Sequence, residues 1–515
     1  MKSIVPAPVV RRVVAAIALA ASVRATTPAR PNILWIMSDD HAAEAIGAYG
    51  GILAKLDPTP TLDRLARDGA RFTNVFCTNS ICTPSRATLL TGQYSHVHGV
   101  KTLDGRIPAA QQTLPRLIGA VGYQTAMIGK WHLGEEPAAF DYYCVLPGQG
   151  WYFNPVFQRK GRGPWPKNEF RFEGYDSVHV DDAVTRLSIE WLKQRDRSRP
   201  FFLMHHFKSP HDNFENAERY DFLYEHDTIP EPASLHAVPN AGSAATTGQG
   251  TSVGKRNTRR NMGDHMFVDR SLPDDVYQRT AYQRYLKKYL RCVRGVDDSI
   301  ARLLEHLKTS GDLEDTIILY TSDQGFMLGQ HDYIDKRWMY EPSLRMPFIV
   351  HYPRGVRPGT VSDALINNTD FAPTLLDLAG VSAPADMPGR SFRAMLEGRP
   401  VPADWRTATY YRYWMHLAHH DNPAHYGLRT ADYKLIFFYG LPLDARGALP
   451  TPTTPGWELY DLRRDPEETK NVYADPAHAA TVRQLKAELL RVKQEIGDTD
   501  EKYPELMQVR AKHWN

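Results

Sequence analysis

One short segment carries side chains that could act on an anionic group: Cys82-Thr83-Pro84-Ser85-Arg86. Pro84 suits the first turn of a helix, and Thr83 is a candidate for its cap. Cys82 would then lie just before the helix, where free backbone N–H groups and the positive end of the helix dipole favour an anion. Arg86 adds a permanent cation one turn further along. A lone cysteine there is usually structural or a thiol of low pKa, but the residues around Cys82 argue against the structural interpretation.

Polar residues of chemically useful types follow three separate apolar runs. The runs cover residues 32–37, 201–204 and 316–320, and each suits a buried strand. The residues that follow them are Asp39-Asp40, then His205-His206 with Ser209-Pro210-His211, and Thr321-Ser322-Asp323. Polar loops after strands are common, but three such strand ends together indicate a site built from carboxylates and imidazoles.

Helical patterns lie between these runs, at residues 61–69, 183–194 and 282–307, the last as one long amphipathic helix or a pair. Strands that alternate with helices predict an α/β fold with a large, mostly parallel mixed sheet flanked by helices. Ligands bind beyond the carboxyl ends of parallel strands, so the polar strand ends should meet at one edge. Residues 237–263 are rich in Gly, Ser, Thr and Asn and predict a flexible insertion or a long surface loop.

The end of the chain has a different pattern. Residues 433–438 and 457–461 read as strands, and residues 479–496 read as a closing amphipathic helix. A stretch rich in Pro and Gly precedes them. We therefore predict a main domain over residues 26–395 and a smaller α+β domain over residues 403–515.

The composition is that of an ordinary globular protein. Of the 515 residues, 42% are hydrophobic and 23% are charged, which argues against a disordered, collagen-like or coiled-coil chain. The net charge is +3, without the bias that nucleic-acid or membrane-surface binders usually show, so we expect no nucleic-acid partner. The mean hydropathy is −0.46, and no apolar run reaches the ~20 residues of a transmembrane segment.

The first 25 residues differ from the rest. A basic start precedes an apolar stretch over residues 13–23, and Val23 and Ala25 occupy the two positions that a signal peptidase reads. We interpret residues 1–25 as a secretory signal peptide rather than a membrane anchor, because the apolar stretch is short and Arg24 ends it. Export predicts a secreted or periplasmic protein in an oxidising compartment.

The chain has four cysteines, too few for a disulfide scaffold. Besides Cys82, the other three are Cys77, Cys144 and Cys292. They leave room for one disulfide with one thiol left over, and the sequence does not choose the pair. We expect all three to be structural.

The segment around Cys82, followed by Leu90-Thr91-Gly92, resembles the C-x-P-S-R motif of the type I sulfatases, the formylglycine-dependent branch of the alkaline phosphatase superfamily. The resemblance extends from Pro31 to about Tyr473 and includes Gly129-Lys130-Trp131-His132-Leu133-Gly134. It implies an alkaline phosphatase-like fold for the main domain and oxidation of Cys82 to formylglycine by a maturation enzyme. The hydrated aldehyde has two hydroxyls, of which one attacks sulfur and the other then expels sulfate.

The resemblance also implies a divalent cation held by oxygen atoms. Asp39 and Asp40 match the first metal carboxylates of the family, and Asp323-Gln324 match a later carboxylate and amide. The modified Cys82 completes the predicted set of ligands. Such oxygen ligands suit Ca²⁺ more than Mg²⁺. Gln324 departs from the more common Asn, and its extra methylene lengthens the arm.

Further family positions imply the catalytic groups. Lys130 and Lys336 match lysines that bind the sulfate oxygens, and Arg86 would help to neutralise the transferring group. The arginine after Lys336 competes for the same role. His132 matches the residue that contacts the formylglycine hydroxyls, and a Lys two residues before a His on an extended segment places both on one side. His211 matches the general acid to the leaving alcohol.

Two aromatic segments predict a saccharide substrate. Residues 146–155 and 410–430 combine aromatic rings with polar side chains, as sugar sites do. Both resemble segments of bacterial N-acetylglucosamine-6-sulfatases and related glycan sulfatases. We nominate His425 and Arg429 as substrate contacts; the alternative is that these residues pack in a seam between the domains.

The resemblance therefore implies an exported sulfatase that acts on a sulfated saccharide, with N-acetylglucosamine-6-sulfate as the candidate. A phosphonate monoester or phosphodiester hydrolase of the same superfamily is the alternative, since some of these enzymes use the same nucleophile. A catalytically silent glycan-binding protein is a third hypothesis, and the presence of Cys82 and of the three aspartates argues against it.

Overall fold

The computed structural model describes Met1 and residues 30–175, 177–236 and 242–515. Apart from Met1, the interpreted signal peptide lies outside the described residues. Residues Pro31–Asn515 form one compact unit. Its strands are, in chain order, β1 (Asn32–Ser38), β2 (Ala70–Phe72), β3 (Val75–Phe76), β4 (Gln124–Lys130), β5 (Tyr142–Leu146), β6 (Phe157–Arg159), β7 (Glu169–Phe170), β8 (Phe201–His206), β9 (Thr316–Ser322), β10 (Met327–Leu328), β11 (Ile334–Asp335), β12 (Phe348–His351), β13 (Thr360–Ser362), β14 (Ile366–Asn367), β15 (Ala408–Tyr413), β16 (His425–Thr430), β17 (Tyr433–Phe438) and β18 (Gly456–Asp461).

The α-helices of the same unit alternate with the strands in the first part of the chain. They are α1 (Pro60–Asp68), α2 (Cys82–Thr91), α3 (Ser95–His98), α4 (Leu114–Ala120), α5 (Val180–Gln194), α6 (Met262–His265), α7 (Asp274–Thr309), α8 (Glu341–Leu344), α9 (Phe371–Leu378), α10 (Arg393–Leu396), α11 (Ala479–Glu495) and α12 (Pro504–His513). The predicted helix or pair near residue 290 is one helix, α7. Among the described helices, none combines the length and the apolar character that crossing a lipid bilayer needs.

The main sheet has ten strands in the order β13-β2-β12-β9-β1-β8-β4-β5-β6-β7. The central strands β9, β1, β8, β4 and β5 all run parallel. Antiparallel pairs join β9 to β12, β12 to β2, β5 to β6 and β6 to β7. The predicted mostly parallel mixed sheet is confirmed.

Strand β1 lies at the centre of the sheet and is buried on both faces. Ile33, Trp35 and Met37 pack into one hydrophobic core with α2, α4 and α9, whereas Leu34 and Ile36 pack into another with α1, α5 and α7. A strand between two cores needs apolar side chains at every position, which explains the continuous apolar run of β1. Packing in the two cores also fixes the position of the strand end that carries the polar residues.

The parallel register brings three of those ends together. Met37 of β1 pairs with His206 of β8, and Ser38 pairs with Ser322 of β9. Strand β4 ends beside them, because its Gly129 also pairs with His206. The loops that follow β1, β4, β8 and β9 therefore leave the sheet at the same edge. The sequence predicted this for β1, β8 and β9, and it did not indicate β4.

The last part of the chain forms a separate antiparallel sheet of four strands in the order β15-β16-β17-β18. Helix α11 packs on it: Leu485 and Leu489 share a core with Leu428 and Leu435. The predicted smaller α+β element is confirmed, and the boundaries at residues 395 and 403 stay predictions.

The segment predicted as a flexible or surface insertion packs into the protein where the structure describes it, from residue 242 onward. Ser252 and Val253 are buried, and the Asn257 side chain donates a hydrogen bond to the Gly250 carbonyl oxygen at 2.8 Å. The prediction is wrong for this part. Gly, Ser, Thr and Asn also build tight, internally hydrogen-bonded turns, which composition alone does not distinguish from loose loops.

Candidate active site

Cys82 is the first residue of α2, and its side chain points to the end of β1. Its Sγ lies 3.3 Å from Oδ1 of Asp39 and 4.0 Å from Oδ1 of Asp40. The N-cap of the helix is Ile81, without a side-chain cap, so the expectation that Thr83 caps this helix is wrong. Burial and then the charge of Asp39 raise the pKa of the Cys82 thiol. The unmodified side chain is therefore a neutral thiol, which is a poor nucleophile.

Three buried carboxylates form the centre of the site. Oxygen atoms of Asp39, Asp40 and Asp323 lie within 4.8 Å of one another. Burial, and the neighbouring carboxylates, raise the pKa of Asp40 to about 8 and that of Asp323 to about 6. Burial opposes ionisation of Asp39 too, but nearby cations, led by Lys130, hold its pKa well below the usual range. The cluster thus needs positive charge to stay ionised.

Arg86 supplies part of that charge from inside the protein. Its Nε lies 3.0 Å from Oδ2 of Asp323, and its Nη2 lies 3.4 Å from Oδ1 of Asp39. Its Nη1 donates to the carbonyl oxygen of Lys130 at 2.7 Å. Because these donors are occupied, Arg86 orients the carboxylates rather than offering a free guanidinium to a ligand.

Two lysines complete the charge balance, and their predicted role as sulfate ligands stays a prediction. Lys130 Nζ donates to Asp39 and, at 2.5 Å, to Oε1 of Gln149. Lys336 Nζ donates to Oδ2 of Asp40 at 2.5 Å. Both ammonium groups are buried and both lie on the carboxylates, so each could transfer its hydrogen bonds to an anion that enters the site.

The amide of Gln324 fits a metal ligand. Its Nε2 donates to Asp40, whereas its buried Oε1 accepts no hydrogen bond from any described residue. Together with the carboxylates of Asp39, Asp40 and Asp323 it forms an all-oxygen donor set, the type that hard divalent cations prefer. The residues predicted as ligands therefore converge, and the identity of the ion as Ca²⁺ stays a prediction.

His211 lies beside the same carboxylates. Its Nε2 is 3.7 Å from Oδ2 of Asp40, and its Nδ1 is 2.8 Å from the carbonyl oxygen of Asp212. Burial and the charges of Lys130 and Lys336 hold the pKa of His211 well below its usual range. The imidazole is thus neutral until an anion offsets the two lysines.

Contrary to the sequence prediction, His132 does not lie on an extended segment with Lys130. Strand β4 ends at Lys130, and His132 has a φ of 55°, so the two side chains do not share one side of an extended segment. The buried Nδ1 of His132 has no hydrogen-bond partner among the described residues. Burial and then Lys130 hold its pKa well below the usual range, which leaves a neutral imidazole able to accept a proton.

Several residues of the site have a left-handed backbone that is unfavourable for side chains other than glycine. The φ angles are 68° at Asp40, 55° at His132, 79° at Asp335 and 84° at Arg337. Such strain persists where the surrounding structure over-determines it, and it clusters at functional sites. This signal is absent from the sequence because none of these residues is a glycine.

The residues around Lys336 were not predicted as a group. Asp335 forms an ion pair with Arg337, and its Oδ2 lies 3.7 Å from Nδ1 of His420. The arginine entered the sequence analysis only as a competitor of Lys336, and His420 only as part of an aromatic segment. The run Asp335-Lys336-Arg337 was the available signal.

His425 lies in the seam between the two sheets. Its ring packs 4.7 Å from Phe438 and 6.2 Å from Trp338, measured between centroids. Its Nδ1 is 2.8 Å from the carbonyl oxygen of Pro423, and burial lowers its pKa to about 4. Its role as a substrate contact stays a prediction, carried by a buried Nε2 without a partner among the described residues.

Arg429 lies on the same strand but pairs away from the carboxylate cluster. Its Nε and Nη2 each lie 3.3 Å from Glu341, and its guanidinium lies 4.7 Å from the centre of the Phe76 ring. Lys434 binds the same Glu341 at 2.9 Å. These contacts fit the packed seam, the alternative that the sequence left open, while the buried Nη1 of Arg429 has no partner among the described residues. The role of Arg429 as a substrate contact stays a prediction.

Replacing Arg429 with methionine tests these two roles. We expect the free energy of unfolding to fall by about 3 kcal/mol, because a buried carboxylate loses a partner, while kcat/KM per folded molecule changes less than about threefold. The control is Arg463→Met, since Arg463 and its partner Asp432 are both exposed and such pairs contribute little. Chemical unfolding measures the free energy of unfolding, and activity measurements give kcat/KM. A large loss of kcat/KM at unchanged stability would instead make Arg429 a substrate contact.

The remaining cysteines form no disulfide. Cys77, Cys144 and Cys292 are buried free thiols, like Cys82. Burial raises the pKa of Cys77 to about 12 and that of Cys144 to about 12. The pair that the sequence left open is not formed, and the expectation of structural roles stays a prediction.

Comparison with known proteins places this arrangement in a wider context. The sequence profile of a family described as Sulfatase matches residues 31–381, and that of a family described as N-sulphoglucosamine sulphohydrolase, C-terminal, matches residues 329–495. The chain is 38% identical to an N-acetylglucosamine-6-O-sulfatase of Bacteroides thetaiotaomicron, over 92% of this chain and 88% of that relative.

Two solved structures show the same architecture. BT4656, in complex with its substrate D-glucosamine-2-N,6-O-disulfate, superimposes with a TM-score of 0.82 at 36% identity, over 92% of this chain and 100% of that chain. A phosphonate monoester hydrolase from Silicibacter pomeroyi gives a TM-score of 0.68 at 23% identity, over 90% of this chain and 96% of that chain. The second likeness shows a shared fold alone.

Proposed function

The chain belongs to the sulfatase family and is a sulfuric ester hydrolase, and we propose that it removes the 6-O-sulfate from N-acetylglucosamine or N-sulfated glucosamine units of glycans. The reaction is supported by one observation: Cys82 contacts Asp39 in a buried cluster of three carboxylates that cations balance. The sugar is supported by the N-acetylglucosamine-6-O-sulfatase of B. thetaiotaomicron and by BT4656, whose substrate is a 6-O-sulfated glucosamine.

Cys82 would act after oxidation to formylglycine by a maturation enzyme. One hydroxyl of the hydrated aldehyde gives its proton to Asp323 and attacks sulfur, and the bond between sulfur and the sugar oxygen breaks. The second hydroxyl then loses its proton, the bond from carbon to the sulfate oxygen breaks, and the aldehyde re-forms as sulfate leaves. Water restores the hydrate. Formylglycine thus supplies both a nucleophile and a way to release sulfate, at a position where the unmodified thiol is neutral.

Two histidines would move the protons. The unpartnered Nδ1 of His132 can accept the proton of the second hydroxyl, and His211 can donate a proton to the departing sugar oxygen. Without substrate, burial and then the charges of Lys130 and Lys336 lower the pKa of His211, so its imidazole is neutral. The sulfate ester offsets those two charges when it binds, so His211 becomes charged in the complex.

Asp39, Asp40, Asp323 and Gln324 would hold the cation, and Arg86 would orient two of these carboxylates. When bound, a Ca²⁺ ion would supply positive charge to the sulfate oxygens and to the attacking hydroxyl. Lys130 and Lys336 would add fixed positive charge on the same group, the preorganised electrostatics that stabilise a transferring anion.

The sugar would lie against the polar group beside Lys336. This group consists of the Asp335 carboxylate, the Arg337 guanidinium and the His420 imidazole, which lie close together. Of the three side chains, that of His420 is partly exposed and the other two are buried. Acceptors and donors in this combination suit the hydroxyls of a pyranose ring. Residues 1–25 support the proposal that the protein is secreted or periplasmic, where such glycans would be met.

The test is a comparison of substrates with the purified, matured protein. We expect N-acetylglucosamine-6-sulfate and N,6-O-disulfated glucosamine to be hydrolysed at least about 10²-fold faster, in kcat/KM, than the 2-, 3- or 4-sulfated sugars. The kcat/KM for an aryl sulfate should also exceed that for an aryl phosphodiester. Preference for the phosphodiester would favour the phosphonate monoester or phosphodiester hydrolase, and binding without any hydrolysis would favour the silent glycan-binding protein.

A further inference from the structure

Lys208 lies beside the proposed general acid without taking part in the cluster. It follows β8, and its carbonyl oxygen accepts a hydrogen bond from the backbone N–H of His211 at 3.2 Å. Its side chain is 4% exposed, and its Nζ lies 4.7 Å from the centre of the Tyr152 ring. The Tyr152 hydroxyl in turn donates to the carbonyl oxygen of His211. Lys208 is therefore held next to His211, the proposed general acid.

The three lysines around His211 differ in their partners. Lys130 is bound to Asp39 and Gln149, and Lys336 is bound to Asp40. Among the described residues, Lys208 has neither a hydrogen-bond acceptor nor an ion-pair partner. An ammonium group has three donors. Nζ of Lys208 is not enclosed by the protein, so an acceptor that comes from outside the chain can reach it.

The nearby carboxylates do not fill that place. Asp39 is bound to Lys130, and Asp212 is paired with His265 at 3.0 Å. Asp181 has two oxygens without hydrogen bonds, but it lies beyond ion-pair distance of Lys208 and 3.7 Å from His179. Burial and the charge of Lys130 lower the pKa of Lys208 to about 8, which agrees with an ammonium that the empty protein stabilises poorly.

We propose that Lys208 binds a second anionic substituent of the substrate, a sulfate or carboxylate group other than the ester that is hydrolysed. The inference rests on the proposed function, in which Lys130 and Lys336 take the transferred sulfate and His211 faces the sugar oxygen. Since Lys130 and Lys336 already bind the transferred sulfate in that proposal, we assign the acceptor of Lys208 to the sugar part. The Tyr152 ring holds the ammonium in place, so little flexibility is lost when the anion binds.

The experiment compares Lys208→Met with the parent protein on three compounds. These are N-acetylglucosamine-6-sulfate, N,6-O-disulfated glucosamine, and a disaccharide that joins a uronic acid to N-acetylglucosamine-6-sulfate. We expect the preference for a doubly anionic over the singly anionic compound, as a ratio of kcat/KM, to fall roughly 10- to 100-fold. The compound that loses the preference tells whether the anion is a sulfate on the same ring or a neighbouring carboxylate.

Binding is measured separately, so that failure of the proposed function does not hide the result. Calorimetric titration of Cys82→Ala and of the double variant Cys82→Ala/Lys208→Met should show the same selective loss of affinity for the doubly anionic compound, whether or not the matured protein hydrolyses it. Lys208→Gln serves as a second variant if the methionine variant is unstable. Lys512→Met, on the exposed face of α12, controls for the loss of one positive charge.

Two results would overturn the proposal. An equal loss on all three compounds would mean that Lys208 acts on the transferred sulfate or only supports His211. Unchanged ratios and affinities would mean that no second anion meets Lys208. If Lys208 merely balances Asp181, Asp181→Asn should rescue the thermal stability of Lys208→Met while the ratio of kcat/KM stays at its parent value.

Discussion

Replacing Cys82 with alanine is expected to lower kcat/KM for sulfated sugars by about 10⁵-fold or more, the scale seen when a covalent nucleophile is removed. Cys82 lies 3.3 Å from Asp39 at the start of α2, and it is the position that formylglycine formation would convert into the nucleophile. The control is Cys77→Ala, because Cys77 is also a buried free thiol but bonds only to backbone carbonyl oxygens. We expect that variant to keep kcat/KM within about threefold.

Replacing Cys82 with serine separates formylglycine from a simple hydroxyl nucleophile. A serine can attack sulfur but has no second hydroxyl to expel sulfate, so the sulfated protein should accumulate after a single turnover. Mass spectrometry should show an addition of ~80 Da for the sulfate ester, and the mature parent protein should show a loss of ~18 Da at Cys82 for the aldehyde. Many turnovers by an unmodified serine, or a parent protein active with an intact thiol, would contradict the mechanism.

The sequence analysis located the strands of the catalytic edge because buried strands between two cores are continuous apolar runs. The ends of β1 and β9 pointed to Asp39, Asp40 and Asp323, and the parallel register brings them within 4.8 Å. Lys130 ends β4, a strand that no such pattern indicated, and His132 and Lys336 lie on irregular segments. They were identified only through the resemblance to a family, since local sequence does not encode where a loop returns to a sheet edge.

The sequence could not predict which charged side chains pair with one another in the folded protein. Arg86 was predicted to help neutralise the transferring group, and the sequence did not indicate that its donors bond to two carboxylates and a backbone oxygen. Arg429 was nominated for the substrate and pairs with Glu341. Lys208 drew no attention because an isolated lysine near a strand end is usually solvated. Pairing depends on side-chain reach across elements that are distant in sequence, and so it appears only in three dimensions.

Replacing Asp323 with alanine is expected to weaken calcium binding by at least about 10²-fold and to lower kcat/KM by about 10³-fold. Asp323 contributes one of three clustered carboxylates and is bound to Nε of Arg86 at 3.0 Å. The substitution removes one proposed ligand of the cation and one of the two carboxylates that Arg86 orients. In the parent protein, calcium at 100 times its Kd should stabilise the fold by about 2.7 kcal/mol. Thermal unfolding with and without chelator measures this shift, which should nearly vanish in the variant.

The control for this prediction is Asp312→Asn, because Asp312 forms ion pairs with Arg195 and Arg197 away from the cluster. That variant should lose stability yet keep the full calcium-dependent shift. Gln324→Ala should reduce the shift less than Asp323→Ala, since a neutral oxygen holds the ion less strongly than a carboxylate. Magnesium should shift the parent protein less than calcium at equal concentration. An unchanged calcium response in Asp323→Ala would show that the three carboxylates are balanced by Arg86, Lys130 and Lys336 alone, and that the cluster binds no divalent ion.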